Sequence, residues 1–319
     1  MSDSHHNSSL ITRHSLLLGA LYGLSAASIW GGMYVVSDVV LQTIPPFTLL
    51  TIRLLMGAAI LAIIVRRQGM RLPARAQLLP MLLVGFIGFG ISVGAQFVGT
   101  DRSTALNGTL VTSASPAFIL LFAALILREK LTLQRIFAVT VATIGVIVIV
   151  DPAKADFSSQ TFTGNAILAL AAVTWGLYSV LVRRVSAQTD TLVITLLAFI
   201  GGLFLTAPAA LLELPARPIG DIDGGLILGV LYLGVVSTAL AMWLWNRAFA
   251  LVDASAASLF FFAQPLVGAL LSVLLLGQQM TPNLWVGSLM IALGLILSLY
   301  PLERLAARRA LKVKSEISD

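Results

Sequence analysis

The chain has 319 residues, of which 58% are hydrophobic and 11% are charged, and its mean hydropathy is +0.97. A soluble chain of this length could not keep so much apolar surface away from water, so the composition predicts a polytopic membrane protein. Because the sequence has no cysteine, disulfides, thiolate metal ligands and cysteine nucleophiles are excluded.

In chain order, the polar residues 1–15 come first, and His5, His6 and His14 are interpreted as part of a solvated tail rather than a metal site. Apolar runs of about 20 residues follow, the length that crosses a bilayer core of about 30 Å. They cover residues 16–36, 47–65, 78–98, 105–127, 133–150, 164–182, 191–212, 225–246, 254–276 and 283–300. The chain is therefore predicted to be an all-α membrane protein with ten transmembrane helices.

The first of these runs recurs deep inside the chain at a shift of about 145 positions, so it belongs to the fold and is not a removed signal sequence. Six identities carry this repeat, with Gly19, Ala26, Ala27, Trp30, Gly31 and Val35 falling on Gly164, Ala171, Ala172, Trp175, Gly176 and Val180. A later stretch recurs at a shift of about 149, with Pro116 on Pro265, Thr132 on Thr281 and Gly145 on Gly294. Because each set has five helices, an odd number, the two sets are predicted to form inverted repeats, as in secondary transporters.

The positions of the basic residues test this topology, because short cytoplasmic loops retain Lys and Arg during insertion. One set of alternate segments carries Arg13, Arg66, Arg67, Arg71, Arg75, Arg128, Lys130, Arg135, Arg183, Arg184, Arg247, Arg304, Arg308, Arg309, Lys312 and Lys314. The opposite set carries only Arg102, Lys154 and Arg217. We therefore expect both termini in the cytoplasm, and we interpret the net charge of +6 as a topology signal rather than as a nucleic-acid site.

These patterns predict five segments along the chain. Residues 1–15 form a cytoplasmic N-terminal tail, 16–150 a first five-helix repeat, 151–163 an outer linker, 164–300 a second five-helix repeat, and 301–319 a basic cytoplasmic tail.

Several residues carry a resemblance that covers nearly the whole chain. They are Trp30 and Gly31 with Trp175 and Gly176 in the first helices, Pro46 followed by Arg53, Pro116 and Pro265 in the fourth helices, Glu129, and Gly145 and Gly294 in the fifth helices. This pattern resembles EamA-type transporters of the drug/metabolite transporter superfamily, and most of all bacterial exporters of amino acids, including aromatic ones. One departure is that Gln278 stands where the second half would repeat Glu129, so any role of that acid exists in one half only.

The resemblance implies a ten-helix fold with a central cavity lined by the first four helices of each half, and with the fifth helices packed outside. It also implies a multi-pass protein of the inner (plasma) membrane that acts without a cofactor or metal and is not an enzyme. The expected partners are a small-molecule substrate and the lipid bilayer, and the sequence says nothing about oligomeric state.

Two stripes of small, polar and helix-bending residues agree with such a cavity. Each stripe has three- and four-residue spacing, which places its members on one helix face; the residues are Thr109, Thr112 and Pro116 in the fourth helix and Ser258, Phe261 and Pro265 in the ninth. Lipid offers no partners for hydroxyl groups, so we expect both stripes to face the protein interior. Ordinary helix packing, with the hydroxyl groups bonded to their own backbone, is the alternative for any single residue.

Aromatic and amide side chains extend the predicted cavity. Aromatic pairs one turn apart occur in the first helix of each half, and hydroxyl and amide groups that could orient a polar substrate lie in helices three, four and nine. The candidates are Trp30, Tyr34, Trp175, Tyr178, Ser92, Gln96, Asn107 and Gln264. The alternative for the two tryptophans is that they fill gaps beside Gly31 and Gly176.

Arg53 is the one charge predicted within a span, about two turns from the start of the second helix. A charge at this depth costs about 2.5 to 3.5 kcal/mol on insertion scales, so it needs a reason. One reason is a structural ion pair with Asp38 across a short loop, and the other is attraction of a substrate carboxylate.

The first helix has no acidic residue before Asp38, so the carboxylate of small multidrug cation exchangers has no match. No span contains a lysine, which disfavours phosphorylated substrates, and no nucleotide-binding, zinc or nucleophile motif occurs. The predicted function is export of small neutral or zwitterionic metabolites, above all aromatic or hydrophobic amino acids, by alternating access. Efflux of drugs or toxic compounds is the alternative, and a membrane enzyme or receptor is a more distant one.

Overall fold

The computed structural model describes residues 2–103, 105–150, 153, 158–276 and 281–299. These residues form helices and short connections, with no strand among them, so the all-α prediction is confirmed for the described part of the chain. The predicted basic tail at 301–319, Gln278 and Lys154 lie outside the described residues, as do the side chains of Tyr34, Asp38 and Thr109.

The described part of the first half forms six helices. They are α1 (Ser2–Leu41), α2 (Pro46–Arg67), α3 (Arg75–Asp101), α4 (Ala105–Thr112), α5 (Ser115–Ile126) and α6 (Leu133–Val150). Helix α1 therefore begins within the segment that the sequence predicts as a tail. Pro46 starts α2 because a first-turn proline loses no helical hydrogen bond, and Gly69 follows its last turn with a φ of +63° that favours glycine.

The second half repeats this order. Its helices are α7 (Phe162–Val185), α8 (Thr191–Glu213), α9 (Gly224–Leu251), α10 (Ala254–Ala257) continued by a 3₁₀ segment (Ser258–Phe262), α11 (Ala263–Leu276) and α12 (Pro282–Leu299). Asp190 and Asp223 cap α8 and α9, because each carboxylate accepts a backbone N–H of the first turn, at 2.8 Å and 2.7 Å.

The first three helices of each half are long and apolar enough to cross a membrane. These six candidate spans are Ser15–Met33, Pro46–Arg67, Arg75–Asp101, Phe162–Val185, Thr191–Glu213 and Gly224–Leu251. Four further apolar helices are shorter, at 10–17 residues. The described chain thus contains six clear spans, and the predicted number of ten stays a prediction.

The two spans predicted at 105–127 and 254–276 are interrupted near their prolines. The first is divided between α4 and α5 by a turn just before Pro116, and the second contains the 3₁₀ segment before Pro265. Proline supplies no N–H and clashes with the preceding turn, which explains both breaks. In the first break the hydroxyl of Ser113 donates to the carbonyl of Leu110.

Hydrogen bonds at the helix ends and loops mark the two ends of the helix bundle. At the Asp101 end, Arg217 contacts Asp101 at 3.1 Å, and Glu213 accepts the backbone N–H of Thr48 at 3.0 Å. At the Asp253 end, Arg135 contacts Asp253 at 2.7 Å. The helix ends rich in arginine, among them the end of α2 and the start of α3, lie on the Asp253 side.

The fifth helices of the two halves pack on each other beside the main bundle. Helices α6 and α12 share a hydrophobic cluster with Leu259 and Phe262, separate from the main core. A Cβ atom at Gly145 would lie 2.7 Å from the carbonyl oxygen of Gly287, so glycine permits this close approach.

Two glycines allow a close backbone contact between the halves where α3 packs on α8. A Cβ atom at Gly85 would lie 2.0 Å from the carbonyl oxygen of Ala198, and one at Gly201 would lie 2.1 Å from that of Leu82. The two backbones therefore meet directly, and this contact holds the halves together at mid-depth.

Substitution of Gly85 by alanine is expected to destabilise the fold. The added methyl group would overlap backbone rather than a movable side chain, which lowers the free energy of unfolding by about 1 to 3 kcal/mol. Gly224→Ala is the matched control, since nothing lies within 4 Å of its Cβ position. Thermal unfolding in detergent should show a lower Tm for Gly85→Ala only; equal Tm values would contradict the packing described here.

Candidate functional site

A pocket lies between the two halves in the middle of the bundle. Its empty volume is about 520 Å³, including the space at its mouth. Both halves supply its walls: Trp30, Met33, Arg53, Ser92, Val93, Gln96, Phe97, Thr112 and Ser115 from the first, and Ala171, Trp175, Met242, Phe261 and Gln264 from the second.

Three tryptophans form an aromatic floor beneath this pocket. The ring centroid of Trp30 lies 5.7 Å from that of Trp175 and 5.2 Å from that of Trp245. Along their helices, Met33 and Ala171 lie on the Asp101 side of this floor, so the pocket does too. Offset and tilted rings pack densely, and the floor separates the pocket from the Asp253 end.

The pocket contains a buried arginine. Arg53 is only 2% exposed, and its Nε donates to Thr238 Oγ1 at 3.0 Å. Its Nη2 reaches Met33 Sδ at 3.3 Å and Ser237 Oγ at 3.5 Å, and its guanidinium carbon lies 5.6 Å from the ring centroid of Phe97. Among the described side chains no carboxylate pairs with Arg53, and the side chain of its predicted partner Asp38 lies outside that description.

Two π-helical stretches present hydroxyl groups to this region. They occupy equivalent helices of the two halves, Phe86–Val93 within α3 and Tyr232–Leu240 within α9. Ser92 in the first donates to the carbonyl of Ala171 at 2.8 Å, and Thr238 in the second donates to the carbonyl of Leu233 at 2.7 Å. The wider turn of a π-helix rotates the residues after it, and such turns are frequent at functional sites.

Four buried polar atoms of the pocket lining have no hydrogen-bond partner. They are Arg53 Nη1, Ser115 Oγ, Trp175 Nε1 and Gln264 Oε1. Buried polar groups in native proteins are nearly always paired, because leaving one unpaired costs about 1 to 3 kcal/mol. A cluster of such groups facing one pocket indicates that they have a partner outside the chain.

The pocket brings together eight of the residues that the sequence singles out. These are Trp30, Arg53, Ser92, Gln96, Thr112, Trp175, Phe261 and Gln264. Three others form local contacts elsewhere: Asn107 donates to Ser103 and Asn165 at the Asp101 end, Tyr178 donates to Asn246 below the floor, and Ser258 donates to the carbonyl of Ser255. Pro116 and Pro265 do not line the pocket, but each directly follows a residue that does.

Sequence reasoning missed several residues of this site. Met33, Phe97, Ser115 and Met242 line the pocket, and Thr238 holds Arg53. The apolar ones resemble any other residue of a membrane helix and give no signal.

A polar cluster joins the two halves at the Asp253 end. Glu129 of the first half accepts the backbone N–H groups of Ala254 and Ser255 at 2.9 Å and 3.1 Å. Arg135, also of the first half, pairs with Asp253 at 2.7 Å. Arg183 donates to the carbonyls that end α9. We call Glu129, Arg135, Arg183, Asp253 and Ser255 the Asp253 cluster; it closes the bundle beneath the aromatic floor.

Replacement of Arg53 by methionine is expected to leave the stability of the protein unchanged or to raise it by up to about 2 kcal/mol. The change removes a buried charge that has an unpartnered Nη1, while Thr238 keeps its bond to Leu233. Thermal unfolding in detergent of Arg53→Met beside the wild type is the measurement. A fall in Tm as large as that of Gly85→Ala would instead make Arg53 a structural residue.

Both halves of the chain are similar to known proteins. A model of the EamA-like transporter family matches residues 17–151 and 162–300, one copy for each half. The uncharacterized inner membrane transporter YicL of Salmonella typhimurium is 30% identical over 290 residues, which cover 88% of this chain and 94% of that protein. An uncharacterized transporter of Archaeoglobus fulgidus is 23% identical over 253 residues, covering 79% and 86%.

A solved crystal structure shares the fold. It superposes with a TM-score of 0.77 and 22% identity, over 92% of this chain and 98% of the other. The likeness therefore extends over both halves of the described bundle.

Proposed function

The chain belongs to the EamA-like transporter family, and we propose that this membrane transporter exports small neutral or zwitterionic metabolites, above all amino acids with aromatic or other hydrophobic side chains. The observation that carries the proposal is the pocket between the halves. Both halves supply its walls, and these walls combine aromatic rings with a few polar side chains, which is the lining usual for small-molecule sites.

The chemistry of the pocket wall supports an amphipathic substrate. Trp30, Trp175, Phe97 and Phe261 offer ring faces, while the four unpartnered polar atoms offer hydrogen bonds. An aromatic amino acid has both an apolar ring and a small charged head, so it could satisfy the two kinds of surface at once. The aromatic wall also suits lipophilic toxic compounds, but a buried arginine without a carboxylate in the described lining disfavours organic cations.

We further propose that transport follows alternating access. The Asp253 end, which carries most of the arginines, is assigned to the cytoplasm, and the chain to the inner membrane with its termini inside. The five segments and the ten membrane-spanning helices predicted from the sequence are part of this proposal. The pocket then lies toward the outer face, and the aromatic floor and Asp253 cluster close the inner side.

Purified protein in liposomes is expected to take up labelled tryptophan and phenylalanine in a saturable manner, each competing with the other. Trp175→Ala should reduce uptake about tenfold or more, because it removes a ring face and a donor from the pocket. Trp285→Ala is the matched control, since Trp285 is 56% exposed on the outer helix α12 and should leave uptake unchanged. Equal competition by threonine would reject the aromatic class, and competition by tetraphenylphosphonium alone would favour drug efflux.

A reducible cross-link across the Asp253 cluster should stop uptake. The chain has no native cysteine, so in the double variant Arg135→Cys with Asp253→Cys a thiol-reactive, reducible linker can join only these two positions, one in each half. Locking this end closed blocks the inward-open state that alternating access requires. Uptake should return when the linker is reduced, and each single variant treated alike serves as control. Full uptake by cross-linked protein would reject the mechanism.

A further inference from the structure

Arg53 breaks the internal symmetry of the chain. The shift of 145 between the second helices places Arg53 on Ala198, and the shift of 149 between the third helices places its partner Thr238 on Phe89. The same position between second and third helices is thus filled by an alanine and a phenylalanine in one copy and by an arginine and a threonine in the other. Because the fold accommodates the apolar pair, it does not need the polar pair for packing.

The hydrogen bonds around Arg53 hold it in one orientation. Its Nε and Nη2 are directed to Thr238, Ser237 and Met33, so these two nitrogens are occupied by the chain. Its Nη1 is buried and has no partner. Because Arg53 lines the pocket, Nη1 is the nitrogen of this charged group that the chain leaves for a ligand.

A second donor breaks the symmetry in the same pocket. Trp30 Nε1 donates to the carbonyl of Ser237 at 3.1 Å, and the shift of 149 between the third helices makes Gly88 the equivalent of Ser237. Trp175, the equivalent of Trp30, makes no such bond, and its Nε1 has no partner. Trp175 is only 8% exposed, so bulk water does not supply the acceptor that its Nε1 lacks, and an unpaired buried donor is costly.

We infer that Arg53 Nη1 and Trp175 Nε1 bind the carboxylate of the substrate, one donor from each half. This inference rests on the proposed function and names the group by which the pocket recognises its substrate. A carboxylate is an acceptor with two oxygens and a negative charge, which matches two N–H donors of which one is cationic. Gln264 Oε1, unpartnered on the same pocket, supplies an acceptor suited to an ammonium group.

The inference has a consequence for selectivity. Compounds that keep the ring but lack the carboxylate, such as tryptamine, should bind weakly to the wild type. Indole-3-propionate, which keeps the carboxylate and lacks the ammonium group, should bind more tightly than tryptamine. The carboxylate also bridges the halves, so its binding is coupled to their relative position.

The test is titration calorimetry of purified protein in detergent with tryptophan, tryptamine, indole-3-propionate and leucine. The key variant is Arg53→Met, which removes the guanidinium group and leaves an apolar side chain in its place. It is expected to fold, as circular dichroism and thermal unfolding would verify. Its affinity for tryptophan and indole-3-propionate should fall about tenfold or more, with less than about twofold change for tryptamine.

Arg217→Met is the matched control, because Arg217 is an exposed arginine at the Asp101 end and should leave all four affinities unchanged. Arg53→Lys should retain part of the preference for carboxylates, since the charge remains but the planar fork is lost. Equal binding of tryptophan and tryptamine by the wild type, or an unchanged preference for carboxylates in Arg53→Met, would overturn the inference. Tight binding of leucine with no preference for tryptophan would keep the carboxylate site and reject the aromatic substrate class.

Discussion

A guanidinium at mid-depth in a membrane protein must receive its hydrogen bonds from neighbouring groups, since lipid has no acceptors. Arg53 meets this constraint through α9, whose π-helical stretch brings the Thr238 hydroxyl to 3.0 Å from Nε. The bond joins α2 of the first half to α9 of the second. The positive charge in the pocket lining and the nitrogen that it leaves without a partner both depend on that arrangement.

The repeat makes the departures from symmetry informative. Residues shared by both halves, such as Trp30 and Trp175, mark what the two repeats have in common. Arg53, Thr238 and Glu129 each occur in one half only, because the equivalent positions of the other half hold Ala198, Phe89 and Gln278. Arg53 and Thr238 place a charge in the pocket lining, and Glu129 caps α10 at the Asp253 end. The two halves therefore differ in the polar groups that they contribute.

The Asp253 end and the pocket are linked through the aromatic floor. Trp245 contacts Trp30 on one side and Phe249 on the other, with ring centroids 5.2 Å and 4.9 Å apart. Arg183 of the Asp253 cluster bonds the carbonyl of Phe249. A displacement of the tryptophans by substrate would therefore be transmitted to the polar contacts that close this end, because packed cores shift between discrete arrangements rather than deform continuously.

The sequence alone determined that the protein lies in a membrane, that it is helical and that its two halves are repeats. It also pointed to most of the polar and aromatic residues that line the pocket. Apolar runs of membrane length and the two shifts of 145 and 149 are properties of the order of residues and need no tertiary information. Only the tertiary structure decided that Asn107 and Tyr178 lie away from the pocket, that Thr238 holds Arg53, and that the helices of Pro116 and Pro265 are broken. The reason is physical: a helix that is apolar on every side has no amphipathic face to reveal its rotation, and hydrogen bonds between residues 185 positions apart exist only after the halves have packed.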